Sequence, residues 1–205
     1  MLTDKTVAVI GGTGKLGAAL TARWRAAGLE VVVGSRSGTA YAAAAEAADI
    51  IVITVPFAAQ AEILAEIAPH AAGKIVIDTT VPLVPPRVMR VQLPPEGSAA
   101  QRAQALLGES VRVISGFHNV AAHKLAEPGA VNCDCLVFGD ALADRAVGVA
   151  LAEAAGLRAL HGGALANSAA AEALTSVLIF LNKAYRTDGA GLRITNLPDA
   201  PDPAA

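Results

Sequence analysis

The chain has 205 residues, enough for one domain of ordinary size with a short appendage. Hydrophobic residues make up 54% of the sequence and aromatic residues only 3%, so it can build a large aliphatic core but not an aromatic platform for stacking nucleic-acid bases. Because the formal net charge is −2 and no basic run occurs, we expect neither a nucleic-acid nor a membrane partner.

The N-terminal segment predicts a strand, a glycine turn and a helix in succession. The apolar run at residues 7–10 predicts a buried parallel strand, and the pattern at residues 15–27 predicts a helix. Between them, Gly12, Gly14 and Gly17 match the dinucleotide fingerprint G-x-G-x-x-G in the context that it requires. We therefore expect a pyrophosphate at the N-terminus of this helix, the alternative being a purely structural turn.

The end of the second predicted strand, at residues 29–33, bears on coenzyme choice. NAD-specific folds place an Asp or Glu there to bind the ribose 2′-hydroxyl. This chain has Ser35 and Arg36 instead, a pair suited to a 2′-phosphate through charge-assisted hydrogen bonds. The sequence therefore favours NADP over NAD, although an ordinary turn with a solvated arginine would look similar.

Strands and helices alternate along the following residues. Further strands are predicted at 50–55, 74–78, 111–115, 133–138 and 157–160, and helices at 39–48, 57–67 (ended by Pro69), 98–107 (capped by Ser98) and 141–155. This alternation is typical of an α/β fold. We expect a Rossmann-like, doubly wound, mainly parallel sheet, followed by a C-terminal apolar helix.

Two of these strand ends fall on the carboxyl edge of the sheet, where open α/β folds bind ligands. Val55 and Pro56 follow the third strand and Thr79 follows the fourth. We predict that they line the nicotinamide ribose, with simple turn chemistry as the alternative. The proline-rich segment 82–97 is predicted to be a loop that overhangs the site.

The C-terminal part differs in character. Asn167 or Ser168 is predicted to cap a helix that runs to about Tyr185, and its nearly all-round apolar surface predicts burial against a dimer partner. We divide the chain into an NADP-binding domain at 1–160, a helical segment at 161–198 for site and dimer contacts, and a disordered tail at 199–205.

Cys133 and Cys135 are interpreted as buried, reduced thiols of a cytoplasmic protein.

Several motifs occur in the order of a known family. They are G-G-T-G-K-L-G (11–17), V-V-V-G-S-R (31–36), T-V-P (54–56), S-G-F-H (115–118), V-F-G-D (137–140) and G-A-L-A-N-S (163–168). Together they resemble the NADPH-dependent coenzyme F420 reductases, over about residues 5–192. The resemblance implies direct hydride transfer between C4 of the nicotinamide and C5 of a 5-deazaflavin, on a homodimer or larger assembly.

The resemblance also implies site residues. The turn with Thr13, Lys15 and Leu16 and the pair Ser35–Arg36 would hold NADP(H). The deazaflavin pocket of coenzyme F420 would be bordered by the following residues: Phe117, His118, Asn167 and Ser168.

Hydride transfer between two planar rings requires them to lie face to face with water excluded, and needs neither a nucleophile nor a metal. His118 is the one candidate for an auxiliary catalytic role, as a hydrogen-bond donor to a ring carbonyl. Its charge would then change near neutral pH and be visible in the pH–rate profile. The alternative is a structural turn residue. The other histidines lack ligand spacing, so we expect no metal site.

Other functions remain open from the sequence. The chain could pass electrons from NADPH to a free flavin, a quinone or a ferric chelate, because the acceptor pocket falls in its least diagnostic part. It could instead be a redox sensor that binds NADP(H) without turnover. Reduction of a small imine or carbonyl is a third possibility, with His118 or Lys124 as proton donor.

Overall fold

A computed structural model of the protein describes residues 2–197. Strands and helices alternate through this range, apart from two short 3-10 turns. The strands are β1 (Thr6–Ile10), β2 (Glu30–Gly34), β3 (Ile50–Ile53), β4 (Ile75–Asp78), β5 (Arg112–Ser115), β6 (Asp134–Val137) and β7 (Arg158–His161). The helices are α1 (Lys15–Ala26), α2 (Tyr41–Ala47), α3 (Phe57–Ala71), α4 (Ala99–Leu107), α5 (Ala122–Ala126), α6 (Leu142–Ala154) and α7 (Ser168–Ala184).

The central sheet has five strands in the order β2-β1-β3-β4-β5, and every pairing in it is parallel. The predicted α/β, Rossmann-like class is therefore confirmed. The last two strands do not extend this ladder as predicted. β6 and β7 form a separate parallel pair, joined to the end of β5 by an antiparallel bridge between Ser115 and Phe138. β6 therefore does not pair along β5, and the two segments meet through this single bridge.

Two apolar clusters cover the two faces of the sheet. Alternating residues of β1 show the division, because Val7 and Val9 belong to one cluster while Ala8 and Ile10 belong to the other. The first cluster includes residues of α1, α5 and α6, and the second includes residues of α2, α3 and α4. The predicted buried thiols Cys133 and Cys135 are confirmed as free cysteines within the first cluster.

Two predicted boundaries are wrong. Pro69 does not end the third helix but lies within its last turn, since α3 continues to Ala71. Proline lacks the N–H that would donate to Ala65 O, so the last turn of α3 has one helical hydrogen bond fewer. The third strand ends at Ile53, so Val55 belongs to the turn that leads into α3. The other predicted helices and strands exist, with ends shifted by a few residues.

Helix α7 packs on the domain with a mixed face that includes Ala171 and Leu178 and three polar residues, which corrects the all-round apolar prediction. Its buried face contains Ser168, Glu172 and Ser176, whereas Val177 and Phe180 are exposed. The predicted side-chain cap of α7 is also wrong, because Asn167 occupies the N-cap position without a side-chain cap bond.

Segment Leu165–Ala184 is long and apolar enough to cross a membrane by length and composition, with mean hydropathy 1.3. The predicted tail at 199–205 lies outside the described residues.

Candidate functional site

The glycine turn between β1 and α1 is defined by close contacts. Gly11 has a φ of +82°, so the left-handed residue of the turn is Gly11 rather than a glycine of the fingerprint. A Cβ on Gly12 would lie 2.8 Å from Val33 Cγ1, and one on Gly17 would lie 2.6 Å from Gly12 Cα. These two glycines therefore allow the turn and α1 to pack tightly against the sheet.

Gly14 differs from its neighbours because its side-chain position is open. A Cβ there would meet only Gly11 O, at 3.3 Å. Gly14 is the N-cap of α1, and no side chain caps this helix. The backbone N–H groups that begin α1 at Lys15 and Leu16 thus form an uncapped helix N-terminus, which is the geometry that binds a phosphate.

The Ser35–Arg36 pair lies beside this turn, because Gly11 N donates to Gly34 O at 3.0 Å. Ser35 is buried, and its N–H donates to Thr39 O at 2.9 Å. Arg36 is exposed, and no hydrogen bond or ion pair of its side chain occurs within residues 2–197. The only acid of β2, Glu30, is at its opposite end. A free guanidinium therefore stands where a 2′-phosphate would be held.

At the carboxyl edge the predicted cofactor residues have structural contacts of their own. Val55 is buried, and its Cγ1 is the atom that a Cβ on Gly11 would meet at 2.8 Å. Pro56 is the exposed N-cap of α3. The Thr79 hydroxyl donates to Ile53 O at 2.8 Å, so its proton is already used in a hydrogen bond to β3. Contacts of these residues to a coenzyme remain predictions.

A cleft of about 340 Å³ opens next to the carboxyl end of β5. His118 and its neighbour Asn119 lie on its wall together with residues of α7 and of the segment after α7, namely Thr175, Leu178, Ile179, Asn182 and Gly189. The Thr175 hydroxyl donates to His118 O at 3.0 Å, and Asn119 Nδ2 donates to Ala171 O at 2.8 Å. Helix α7 is thereby fixed to the turn that carries His118.

His118 is a neutral imidazole in this structure. Burial lowers its pKa from 6.5 to about 3, because the charged form would lose its hydration. Nε2 lies 2.8 Å from Ser115 Oγ, and the buried Nδ1 has no partner among the described residues. This lowered pKa does not support the expected change of charge near neutral pH and favours hydrogen bonding by the neutral ring as the chemical role.

The other predicted acceptor contacts do not gather around this cleft. Phe117 has a φ of +65° and is 2% exposed, with its ring 6.0 Å from that of Trp24 in the core. Asn167 is exposed and donates to Gly162 O at 3.1 Å. Ser168 is fully buried and donates to Ser98 Oγ at 2.8 Å. The α7 residues that line the cleft begin two turns further along, at Thr175.

Two buried carboxyls that were not predicted, Asp78 and Glu172, lie between these sites. Burial raises the pKa of Asp78 to about 6, against the effect of hydrogen bonds from Thr80 and Gln60. Burial also raises the pKa of Glu172 to about 7, against the backbone N–H groups of α4 and with a contribution from the charge of Asp78. For Glu172, the available sequence signal was a single acidic residue within an otherwise apolar helix. Within residues 2–197, no three His, Cys, Asp or Glu side chains cluster as metal ligands would.

Comparisons with known proteins agree with this architecture. Residues 1–84 match the family described as acetohydroxy acid isomeroreductase, NADPH-binding domain. A crystal structure of a proposed F420-dependent NADP reductase from Arthrobacter sp. FB24 superposes with a TM-score of 0.83, over 94% of this chain and 100% of that chain, at 22% identity. This likeness supports the fold.

Two curated relatives extend over nearly the whole sequence. The F420-dependent NADP reductase of Methanothermobacter thermautotrophicus is 39% identical over 94% of this chain and 96% of its own length. The enzyme of the same name from Methanocaldococcus jannaschii is 32% identical over 93% of this chain and 98% of its own. With the glycine turn, the free Arg36 and the His118 cleft on one edge of the sheet, the chain belongs to the F420-dependent NADP reductase family.

Proposed function

We propose that the protein transfers a hydride directly between NADP(H) and the 5-deazaflavin coenzyme F420. One observation carries the proposal: the carboxyl edge of a single sheet presents both an uncapped phosphate-binding turn, with the unpaired Arg36 beside it, and the cleft that contains His118. The relatives named for these two coenzymes, at up to 39% identity, support the same pair of substrates.

The coenzyme half holds NADP(H) through Gly12, Thr13, Gly14, Lys15, Leu16 and Gly17. The N–H groups that begin α1 bind the pyrophosphate, while Ser35 and Arg36 bind the 2′-phosphate. Val55, Pro56 and Thr79 form the edge along which the nicotinamide ribose lies. The hydride then passes from C4 of the nicotinamide to C5 of the deazaflavin, or in reverse.

The acceptor half is the His118 cleft. A buried neutral imidazole suits the reaction, because it offers one hydrogen bond to a ring carbonyl without bringing a charge near the transferred hydride. Catalysis then rests on holding two rings at near-attack distance in a site from which water is excluded. Asn167, which is exposed at the start of α7, borders the space between the halves, whereas the buried Ser168 faces α4.

A homodimer fits the exposed apolar side chains. Val177 is 42% exposed and Phe180 is 53% exposed on the outer side of α7, and Met89 and Val91 of the proline-rich loop are also exposed. A second copy that covers this side would bury them.

We place the assembly in the cytoplasm, where the thiols of Cys133 and Cys135 stay reduced. We also keep the division into a coenzyme domain at 1–160 and a helical segment at 161–198.

The test is a spectroscopic assay of the purified protein. Coenzyme F420 and NADPH are mixed with it and the deazaflavin absorbance is followed, with riboflavin phosphate and ferric citrate as parallel acceptors. Loss of the deazaflavin absorbance alone supports the proposal. Turnover with another acceptor would overturn the F420 assignment, and binding of NADPH without turnover would indicate a sensor.

A further inference from the structure

The interface beneath α7 contains buried polar groups that the proposed reaction does not use. We call this set the polar seam: Gln60, Asp78, Ser98, Ser168 and Glu172. Each of these side chains is at most 1% exposed. They come from α3, β4, the N-cap of α4 and α7, so four separate parts of the chain meet here.

The first half of the seam starts at the coenzyme edge. The N–H of Thr80, next to the predicted ribose contact Thr79, donates to Asp78 Oδ1 at 2.9 Å. Gln60 Nε2 donates to Asp78 Oδ2 and also to Ala99 O at 3.0 Å. One amide group of α3 thus ties the end of β4 to the first residue of α4.

The second half continues from α4 to α7. Ala99 N donates to Glu172 Oε2 at 2.7 Å, and Ala100 N donates to Glu172 Oε1 at 3.2 Å. Beside them, Ser168 Oγ donates to Ser98 Oγ at 2.8 Å, while Ser98 caps α4. Both carboxyl oxygens of Glu172 therefore hold α7 against the N-terminus of α4.

The seam ends at the other half of the proposed site. Thr175 follows Glu172 by nearly one helical turn, and its hydroxyl donates to His118 O at 3.0 Å. Hydrogen bonds therefore connect the Thr79–Thr80 turn, where the nicotinamide is expected, with Glu172, and one turn of α7 connects Glu172 with Thr175 and the turn that carries His118.

Stability alone does not explain this arrangement. Apolar side chains of similar volume would bind α7 to the domain at least as strongly, because burying a carboxyl is costly even when it is hydrogen-bonded. Directional bonds give something that apolar contacts do not: they fix the position and rotation of a helix to within a fraction of an ångström.

We infer that Glu172 is a positioning residue for hydride transfer, which sets the distance between the coenzyme edge and the His118 cleft by fixing α7 to α4. The inference rests on the proposed function, because it assigns one ring to each end of the seam. Asp78 and Gln60 carry the same constraint from α4 to the coenzyme edge. Since a displacement of about 1 Å can slow a reaction by about 100-fold, the expected effect is on the chemical step.

The experiment compares E172Q with E153Q. Glu172→Gln keeps the side-chain volume but turns an NH₂ group toward one of the two backbone N–H donors of α4. Glu153 lies on an exposed position of α6, away from the seam, so its Gln variant is the matched control. Single-turnover hydride transfer from NADPH to coenzyme F420 is measured at saturating concentrations, together with the dissociation constant of NADPH.

We expect the rate constant of hydride transfer in E172Q to fall about 10-fold to 100-fold, while the dissociation constant of NADPH stays within about twofold of the wild-type value. E153Q should match the wild type. A merely structural role would lower the amplitude of the single turnover, as less protein is folded, and leave the rate constant unchanged. That result would overturn the inference.

If E172Q does not fold, Ser168→Ala supplies the second measurement. It removes one hydrogen bond at the edge of the seam and should lower the same rate constant about 2-fold to 5-fold, and an unchanged value would also overturn the inference. Failure of the proposed function is distinguishable from both results, because the wild-type protein would then not transfer hydride to coenzyme F420 at all.

Discussion

The two halves of the proposed site are built in different ways. The coenzyme half is local: residues 11–17 form one turn between β1 and α1. Its tight packing depends on glycines, which have no Cβ. The acceptor half is assembled from distant segments, since His118 on the β5 turn meets Thr175 of α7 only because α7 is tied to α4 through Glu172. A local half can be recognised from sequence, whereas a half built from distant segments has to be found in three dimensions.

The largest expected effect comes from a steric clash introduced into the glycine turn of the coenzyme half. In Gly17→Ala the new Cβ would lie 2.6 Å from Gly12 Cα and 2.6 Å from Thr54 Oγ1. We expect a loss of about 3 kcal/mol in the free energy of unfolding, measured by denaturant titration, together with loss of NADPH binding.

Gly14→Ala is the matched control, because its Cβ would meet only Gly11 O at 3.3 Å. It should fold with nearly wild-type stability and still bind NADPH more weakly, because the methyl group occupies the approach of the pyrophosphate. Equal stability and equal affinity would contradict the placement of the pyrophosphate at this turn.

The next prediction tests the electrostatic contact between Arg36 and the 2′-phosphate in the coenzyme half. Arg36→Ala should weaken NADPH binding about 10-fold to 100-fold and leave NADH binding nearly unchanged, since only NADPH carries the 2′-phosphate. Isothermal titration with both coenzymes measures the difference. Arg36→Lys should recover only part of the affinity, because an ammonium cannot form the bidentate pair. Equal losses for both coenzymes would refute the 2′-phosphate assignment.

A further effect concerns the seam beneath the acceptor half. Asp78 and Glu172 have folded-state pKa values of about 6 and about 7, above the ordinary 3.8 and 4.5. The folded protein therefore holds more protons than the unfolded chain between about pH 4 and about pH 7, and the free energy of unfolding falls as the pH rises through that window.

We expect this decrease to be on the order of 3 kcal/mol per carboxyl in the wild-type protein. Urea titrations at several pH values measure it, and Glu172→Gln should show a visibly shallower decrease than Glu153→Gln. The same slope in both variants would show that Glu172 does not titrate in this range.

The smallest expected effect is the absence of a pH dependence. With its pKa near 3, His118 stays neutral, so its titration should leave kcat flat between about pH 5.5 and about pH 8. Comparison with His118→Gln isolates this contribution from that of the carboxyls. A limb near pH 6.5 that disappears in the variant would show that the imidazole becomes charged in the working enzyme.

Much of the fold could be predicted from the sequence because its signals are local. The apolar runs of β1 to β5, the helix that begins at Lys15 and the cap at Ser98 each depend on neighbouring residues. The predictions failed where distant residues decide. Phe117 was expected at a substrate but packs on Trp24, and β6 was expected in the main sheet but pairs only with β7.

The sequence by itself determined the parallel sheet, the glycine turn and the cation in place of an acid at position 36, because hydrophobic periodicity, glycine spacing and residue identity at a strand end are properties of short segments. Tertiary structure alone decided that the apolar-looking helix α7 buries its polar residues Ser168, Glu172 and Ser176 together with Ala171 and Leu178. It also decided the burial that raises the pKa of Glu172 to about 7 and lowers that of His118 to about 3. Burial depends on which distant segments cover a side chain.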